Sequence, residues 1–340
     1  MVDAPSARPT AALGPTPEAA PRRWFVSGTM PVILLLLALP ALAQLGGSPA
    51  IIGAATRIVI AGLAASSLSL IMGHGGLVSF GHAAYLGLGA YTVGILNAQF
   101  MSGELLFGLV PGTNDLLITL PAAMLVSGGA AAALGALCLR TAGVQFIMIT
   151  LAFAQMLFFL FVSLKAYGGD DGLLIRRPNV APFLNLRDGT TMFYLAAACL
   201  VGYVLLCGRL VRSRFGRVLA GQRQSERRMA AIGIWTYPYK LAAFVVAGMG
   251  AGLAGALQAN SMRFVSPDLM HWSQSGDLLI MVVIGGTGSL FGPLWGAVVL
   301  IGLEMLLAQW TEYWQIILGP ILVLVALRSP GSLRRLWSKP

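Results

Sequence analysis

Three histidines, twelve acids and three cysteines are what 340 residues offer for proton, metal or nucleophile chemistry, and their spacing works against all three. His74 and His82 are eight residues apart, about 12 Å along a helix axis, too far to share one metal. Neither has a carboxylate or thiol nearby in sequence, so a hydrogen-bonded or interfacial role is the default. His271 falls in a loop between apolar runs and is expected to be solvated. Cys138, Cys199 and Cys207 lie in or beside apolar segments with no CxxC, the pattern of inert core thiols rather than a metal or redox set. Glu304 is the only acid inside an apolar span, where a carboxylate is by default a functional hypothesis. A structural, snorkelling or capping role is the other reading of it, and Arg57 reads as snorkelling. The phosphate loop, the His-Glu-x-x-His helix and the Gly-x-Ser-x-Gly elbow are all missing, so the sequence points away from an enzyme. It calls for no cofactor and no metal, and ATP-driven work would have to be done by another polypeptide.

The charges that do cluster are basic. Arg209 to Lys240 holds eight of the 22 Lys and Arg and one acid, Glu226. Within it, Ser225 to Gly233 reads as one short helix, with Ser225 as its cap, Glu226 at the positive end of the dipole and Gly233 as its stop. Such a helix in water needs something to dock against.

Composition sets what must position these groups. The chain is 57% hydrophobic and 10% charged, where a soluble domain has about 25% charged residues. It reads as an all-α, polytopic integral membrane protein. The net charge of +10 sits in segments flanking apolar runs, not in an aromatic-interleaved patch, so nucleic acid is not a partner and the charge reports topology. With about 20 apolar residues per crossing, spans fall near 24–45, 51–72, 77–98, 117–139, 144–164, 190–208, 241–260, 278–289, 294–309 and 314–327. The eighth and ninth are short and flank the glycine-rich run 285–293, so they read either as two helices or as one broken or re-entrant element. Residues 1–23, rich in Ala and Pro, read as a disordered cytoplasmic tail. The run from Trp24 reads as an uncleaved anchor, with Ala41-Leu42-Ala43 the argument for cleavage.

Ten spans with both termini inside put 16 basic residues on the inner side and six on the outer: Arg57, Lys165, Arg176, Arg177, Arg187 and Arg263. That bias places the 209–240 loop and the 328–340 tail in the cytoplasm and the 165–189 loop outside. Leu77 to His82 and Gly288 to Pro293 each set Ser, an aromatic and Gly ahead of a small-residue helix, a hint of the internal repeats common in transporters.

The glycine-rich run 73–91 has two compatible readings. Small residues let helices pack closely, and an unwound backbone enclosed by protein can line a polar path. Candidate path residues are Ser79, Gly81, His82, Gly87, Gly89 and Tyr91. The outer loop with Asp170 and Asp171 reads as a solvated turn or as a contact for an extracytoplasmic partner.

In order along nearly the whole chain, GHGGLVSFGHAAYLGLGAY at 73–91, GGDDGL at 168–173, RLVRSRFGRVLAGQRQSERRMAAIGI at 209–234, KLAAFVVAGMGAGLAGALQA at 240–259, FVSPD at 264–268 and MVVIGGTGSLFGPLWGA at 281–297 resemble the M-type permease subunit of ABC importers for branched-chain amino acids. The resemblance implies a transmembrane domain over 24–327, inert alone, in the bacterial inner membrane. Its implied partners are a second, related permease subunit, two cytoplasmic ATP-binding subunits, a periplasmic substrate-binding protein and membrane lipid. It also implies that the ATPase-contacting loop is Gly221, Gln222, Arg223, Gln224, Ser225, Glu226, Arg227, Arg228, Met229, Ala230, Ala231, Ile232 and Gly233. Met229 and Ile232 on one face of the short helix, with Arg227 and Arg228 beside them, would insert into a groove and pair at its rim. GGDDGL differs from the GGSDGL-like form of leucine-type systems, and relatives import urea, short amides and aromatic or dicarboxylic acids. The competing class is an ion-coupled secondary carrier acting without ATPase subunits.

Overall fold

The computed structural model describes residues 49–103, 105–106, 110–176, 179–181, 186, 188–286, 289, 291–309, 316, 319 and 320. The expected spans 24–45 and, but for three residues, 314–327 lie outside the described residues, as do both tails.

Ten helices follow in order: α1 Pro49–Ser69, α2 His82–Ser102, α3 Leu116–Cys138, α4 Val144–Ser163, α5 Gly189–Arg212, α6 Arg214–Gln224, α7 Glu226–Ala231, α8 Tyr237–Met262, α9 Trp272–Gly285 and α10 Gly292–Ala308. Among the described residues, five are long and apolar enough to cross a membrane: α1 with its continuation to His74, α3, α4, α5 and α8. α2 has the length, 21 residues, but its glycines and Asn97 dilute its apolar character. α9 and α10 form two separate helices packed on each other. Their 14 and 17 residues rise only about 21 and 26 Å, less than the roughly 30 Å hydrocarbon layer.

The all-helical reading needs one correction, two short ribbons. Leu105–Leu106 pairs antiparallel with Val110–Pro111, and Leu173–Leu174 with Phe264–Val265. The second ribbon joins two of the sequence motifs, GGDDGL and FVSPD. Gly172 makes the join possible: its φ is +76°, and a Cβ there would run into the Val265 carbonyl oxygen.

α8 is the hub, packing on α1, α2 and α3. Its run GMGAGLAGALQAN has Gly or Ala at eight of thirteen positions, so neighbouring backbones approach closely and dispersion over a long seam replaces the hydrophobic effect that lipid cannot supply. A Cβ at Gly255 would overlap the Leu86 carbonyl oxygen, and one at Gly89 would overlap Gly252. Hydrogen bonds fix the register: Ser127 Oγ donates to the Tyr85 carbonyl at 3.0 Å and Tyr203 Oη to the Val246 carbonyl at 3.2 Å.

The span expected at 77–98 begins five residues later than the hydropathy suggests. α1 ends in a π-helical turn, Leu70–His74, and residues 75–81 are not helical. Gly76, with φ of +69°, and the Ser79 and Gly81 that follow break the run, and α2 starts only at His82. The amides exposed by this late start are taken by hydroxyls. Phe80 N donates to Thr150 Oγ1 (3.3 Å), Gly81 N to Ser79 Oγ (3.2 Å) and Ala83 N to Ser275 Oγ (3.0 Å). Without such partners, each amide at membrane depth would cost several kcal/mol, on the order of 2 or more.

The seam at α8 yields a direct test. Gly255→Ala is expected to lose at least roughly 1–3 kcal/mol through backbone overlap, lowering the melting temperature of the detergent-solubilised protein. Gly202→Ala, at a position with open space around it, is expected to stay within about 0.5 kcal/mol.

Candidate functional site

The basic island folds as two helices: α7, the short helix expected within it, and α6 ahead of it. Ser213 caps α6, its Oγ accepting from Phe215 N at 3.2 Å. Ser225 then ends α6 and starts α7, with Oγ accepting from Arg228 N at 3.3 Å. Gly233, at φ of +79°, stops α7 as its spacing suggested. Its amide reaches the Ala230 carbonyl (3.0 Å), and Ile234 N reaches Met229 (3.0 Å).

The short helix has docked within its own chain. Met229 lies against α6, where a Cβ at Gly221 would sit 2.7 Å from Met229 Sδ. Glu226 accepts from Lys240 Nζ at 2.7 Å and from Thr236 Oγ1 at 3.1 Å, which staples the start of α7 to the start of α8. Lys240 is 10% exposed and Glu226 is 55% exposed, so the ammonium depends on the pair more than the carboxylate does. The hydrogen bond from Lys240 holds the Glu226 carboxyl below its ordinary pKa. Tyr237 Oη donates to the Ala136 carbonyl at 2.8 Å, which fastens the loop to α3 as well.

This arrangement corrects the expectation that Met229 and Ile232 share a docking face. Met229 turns inward, while Ile232 remains 68% exposed. Its exposed apolar neighbour is Trp235, 74% exposed, whose ring lies stacked beside Tyr237 with centroids 6.1 Å apart. Trp235 escaped the sequence reading, although a Trp between Gly233 and Thr236 in a basic loop was the available signal. Arg227, Arg228, Ala230 and Ala231 are exposed around it. Gln222 and Leu219 are buried under α6. Arg223 is exposed as they are, but it is also engaged within its own chain, where its Nη1 donates to the Gly73 carbonyl at the end of the π turn.

The six candidate path residues are all buried within this chain, and each has a packing partner or a hydrogen bond. Ser79 takes the Gly81 amide, and His82 Nε2 pairs with Ser67 Oγ at 2.7 Å. Gly81 lies against Thr150, Gly87 against Met270 and Gly89 against Gly252. Tyr91 packs on Phe161 with ring centroids 4.4 Å apart. The geometry shows close packing at these positions, which is compatible with lining a path.

His74 and His82 lie on either side of the break, and among the described residues no group of three metal-ligating side chains comes together. His271 is not simply solvated: its ring packs edge-on to Phe158, centroids 5.4 Å apart, and its Nδ1 lies 2.9 Å from Ser273 Oγ. Glu304 has a partner invisible in the sequence, Arg57 Nη2 at 3.2 Å across α1 and α10. The pair gives each charge a structural partner, and Arg57 remains about half exposed. Asp170 and Asp171 lie exposed in the turn Gly169–Asp171, ahead of the second ribbon.

The family model described as the branched-chain amino acid transport system permease component matches residues 50–326. The high-affinity branched-chain amino acid transport system permease protein LivM of Salmonella typhimurium is 28% identical over 328 residues, covering 89% of this chain and 73% of the relative. LivM of Escherichia coli is 28% identical over 290 residues, covering 78% of this chain and 65% of the relative. No solved structure is matched.

The Glu226 staple sets a pH dependence. A depressed carboxyl pKa adds stability that is complete above the ordinary value of 4.5 and is lost as the pH falls through the lowered one. At about pH 7, amides of α7 are expected to exchange faster in Glu226→Gln than in the unchanged protein, and the two should converge only once the pH has fallen below the lowered Glu226 value, where both side chains are neutral. Compared at equal pH, the pair of proteins cancels the intrinsic pH dependence of exchange.

Proposed function

The chain belongs to the branched-chain amino acid transport system permease family, and we propose that it forms one transmembrane half of a binding-protein-dependent importer for branched-chain amino acids or a related small solute. The match over residues 50–326 supports this reading most directly. The other half is a second, homologous permease subunit. Two ATP-binding subunits dock on the island from the cytoplasm, and a periplasmic protein delivers solute at the opposite end. The charge bias favours a ten-span topology with both termini inside, and the subunit sits in the bacterial inner membrane. The chain hydrolyses no ATP itself.

The physical basis of coupling is the rigid helix pair α6 and α7. Exposed Ile232 and Trp235 present an apolar knob, and Arg227 and Arg228 supply charge at its rim, the anatomy of a small docking patch. α6 continues from α5, and α7 leads through Thr236 into α8, so a push on the knob acts on two long helices at once. The exposed apolar side chains of α3 and α4, Leu125, Met148 and Phe159 among them, suit contact with lipid.

Reconstitution tests the proposal. The chain alone in liposomes is expected to show no uptake under a proton or sodium gradient, and uptake should require ATP and all partners. Gradient-driven uptake by the chain alone would overturn the importer reading in favour of a secondary carrier. Ile232→Glu with Trp235→Glu is expected to weaken ATPase-subunit association by roughly 10- to 100-fold, since each large apolar side chain contributes about 1.5–3 kcal/mol on burial. Undiminished association would move the docking patch elsewhere.

A further inference from the structure

The family resemblance groups Arg223 with the residues that contact the ATPase, but its guanidinium, though exposed, is bonded within its own chain. Nη1 donates to the carbonyl of Gly73, the penultimate residue of the π turn Leu70–His74. That carbonyl is one of the last in the α1 run, where no downstream helical amide remains to take it. Its neighbour Ile71 is satisfied differently, by Leu77 N folding back at 3.1 Å. The Arg223 stem also lies under Gly76, where a Cβ would fall 2.9 Å from Arg223 Cγ and φ is +69°. Gly75 is equally tight, 2.7 Å from the Ile71 carbonyl oxygen. The last turn of α6 is thus clamped to the break that π-helical geometry marks between α1 and α2, and such turns recur at functional sites.

We infer that Arg223 is a strut that carries movement of the α6–α7 loop into the break between α1 and α2, and that it is not a contact to the ATPase. The inference rests on the importer reading for what drives the loop, but the strut itself is a property of this chain. Its effect follows from what the break holds. Residues 75–81 are not helical and include three glycines, so they bend more easily than the helices on either side. The same segment feeds the α2 N-terminus, whose amides are held by Thr150 of α4 and Ser275 of α9. Displacing Gly73 therefore strains hydroxyl contacts to two further helices. A guanidinium suits this task better than an ammonium because its planar fork fixes direction as well as charge.

The strut is tested first on the detergent-solubilised subunit, with no partner present. In Arg223→Gln, the Leu77 amide is expected to exchange about tenfold faster, with Arg223→Lys intermediate, while amides at the centre of α8 keep their protection. In the complex with all partners, Arg223→Gln should retain the ATPase subunits, unlike Ile232→Glu, and should move about tenfold less solute per ATP hydrolysed. Unchanged exchange at Leu77, or an unchanged ratio of solute to ATP, overturns the strut. Loss of ATPase association in step with transport also overturns it, by placing Arg223 on the docking patch. Should the unchanged complex move solute without ATP, the importer reading fails, and the Leu77 exchange still decides whether the strut exists.

Discussion

A backbone amide or carbonyl buried away from water is costly unless it is paired, so a helix that breaks inside a bundle needs partners for the groups it frees. Between Leu70 and His82 this chain breaks, and the partners come from far along the sequence. Arg223 takes Gly73, Thr150 takes Phe80, Ser275 takes Ala83, and Ser79 within the break takes Gly81. Three helices are thereby tied to one irregular stretch. Any rearrangement of that stretch is felt in α4, α6 and α9 together, and any movement of α6 is felt in the stretch.

The rest of the loop is built to keep α6 and α7 moving as one piece. Met229 fills the space above Gly221, Glu226 holds Lys240 and Thr236, and Tyr237 reaches α3. None of these contacts is strong alone, since Glu226 is more than half exposed. Together they leave the loop few internal freedoms, so force applied at Ile232 and Trp235 is passed on with little lost in flexing. Stiffness in the loop and pliancy in residues 75–81 are complementary requirements, and the glycines are placed accordingly.

What the sequence disclosed was local or periodic. Ser225 as a cap and Gly233 as a stop follow from side-chain reach and backbone conformation, and the structure has both. Spans such as 117–139 and 144–164 match α3 and α4 because about 20 apolar residues with few charges have few other fates. The start of α2 was misread because hydropathy does not register a backbone that stays irregular until His82. Pairings between distant residues were out of reach. Arg57 and Glu304 are 247 positions apart, and Glu226 meets Lys240 only because α7 folds back on the head of α8. The split between Met229 and Ile232 was hidden for the same reason, as a helical projection cannot say that a second helix already covers one face.

The central claim is that partner-driven motion of the loop reaches the break through Arg223. It is tested most directly by amide exchange in the complete complex, with and without bound nucleotide on the ATPase subunits. The account requires protection at Leu77 to change with nucleotide state in the unchanged complex, and that change to vanish in Arg223→Gln while exchange in α7 still responds. A nucleotide response confined to residues 225–233, with Leu77 indifferent in both proteins, would contradict it.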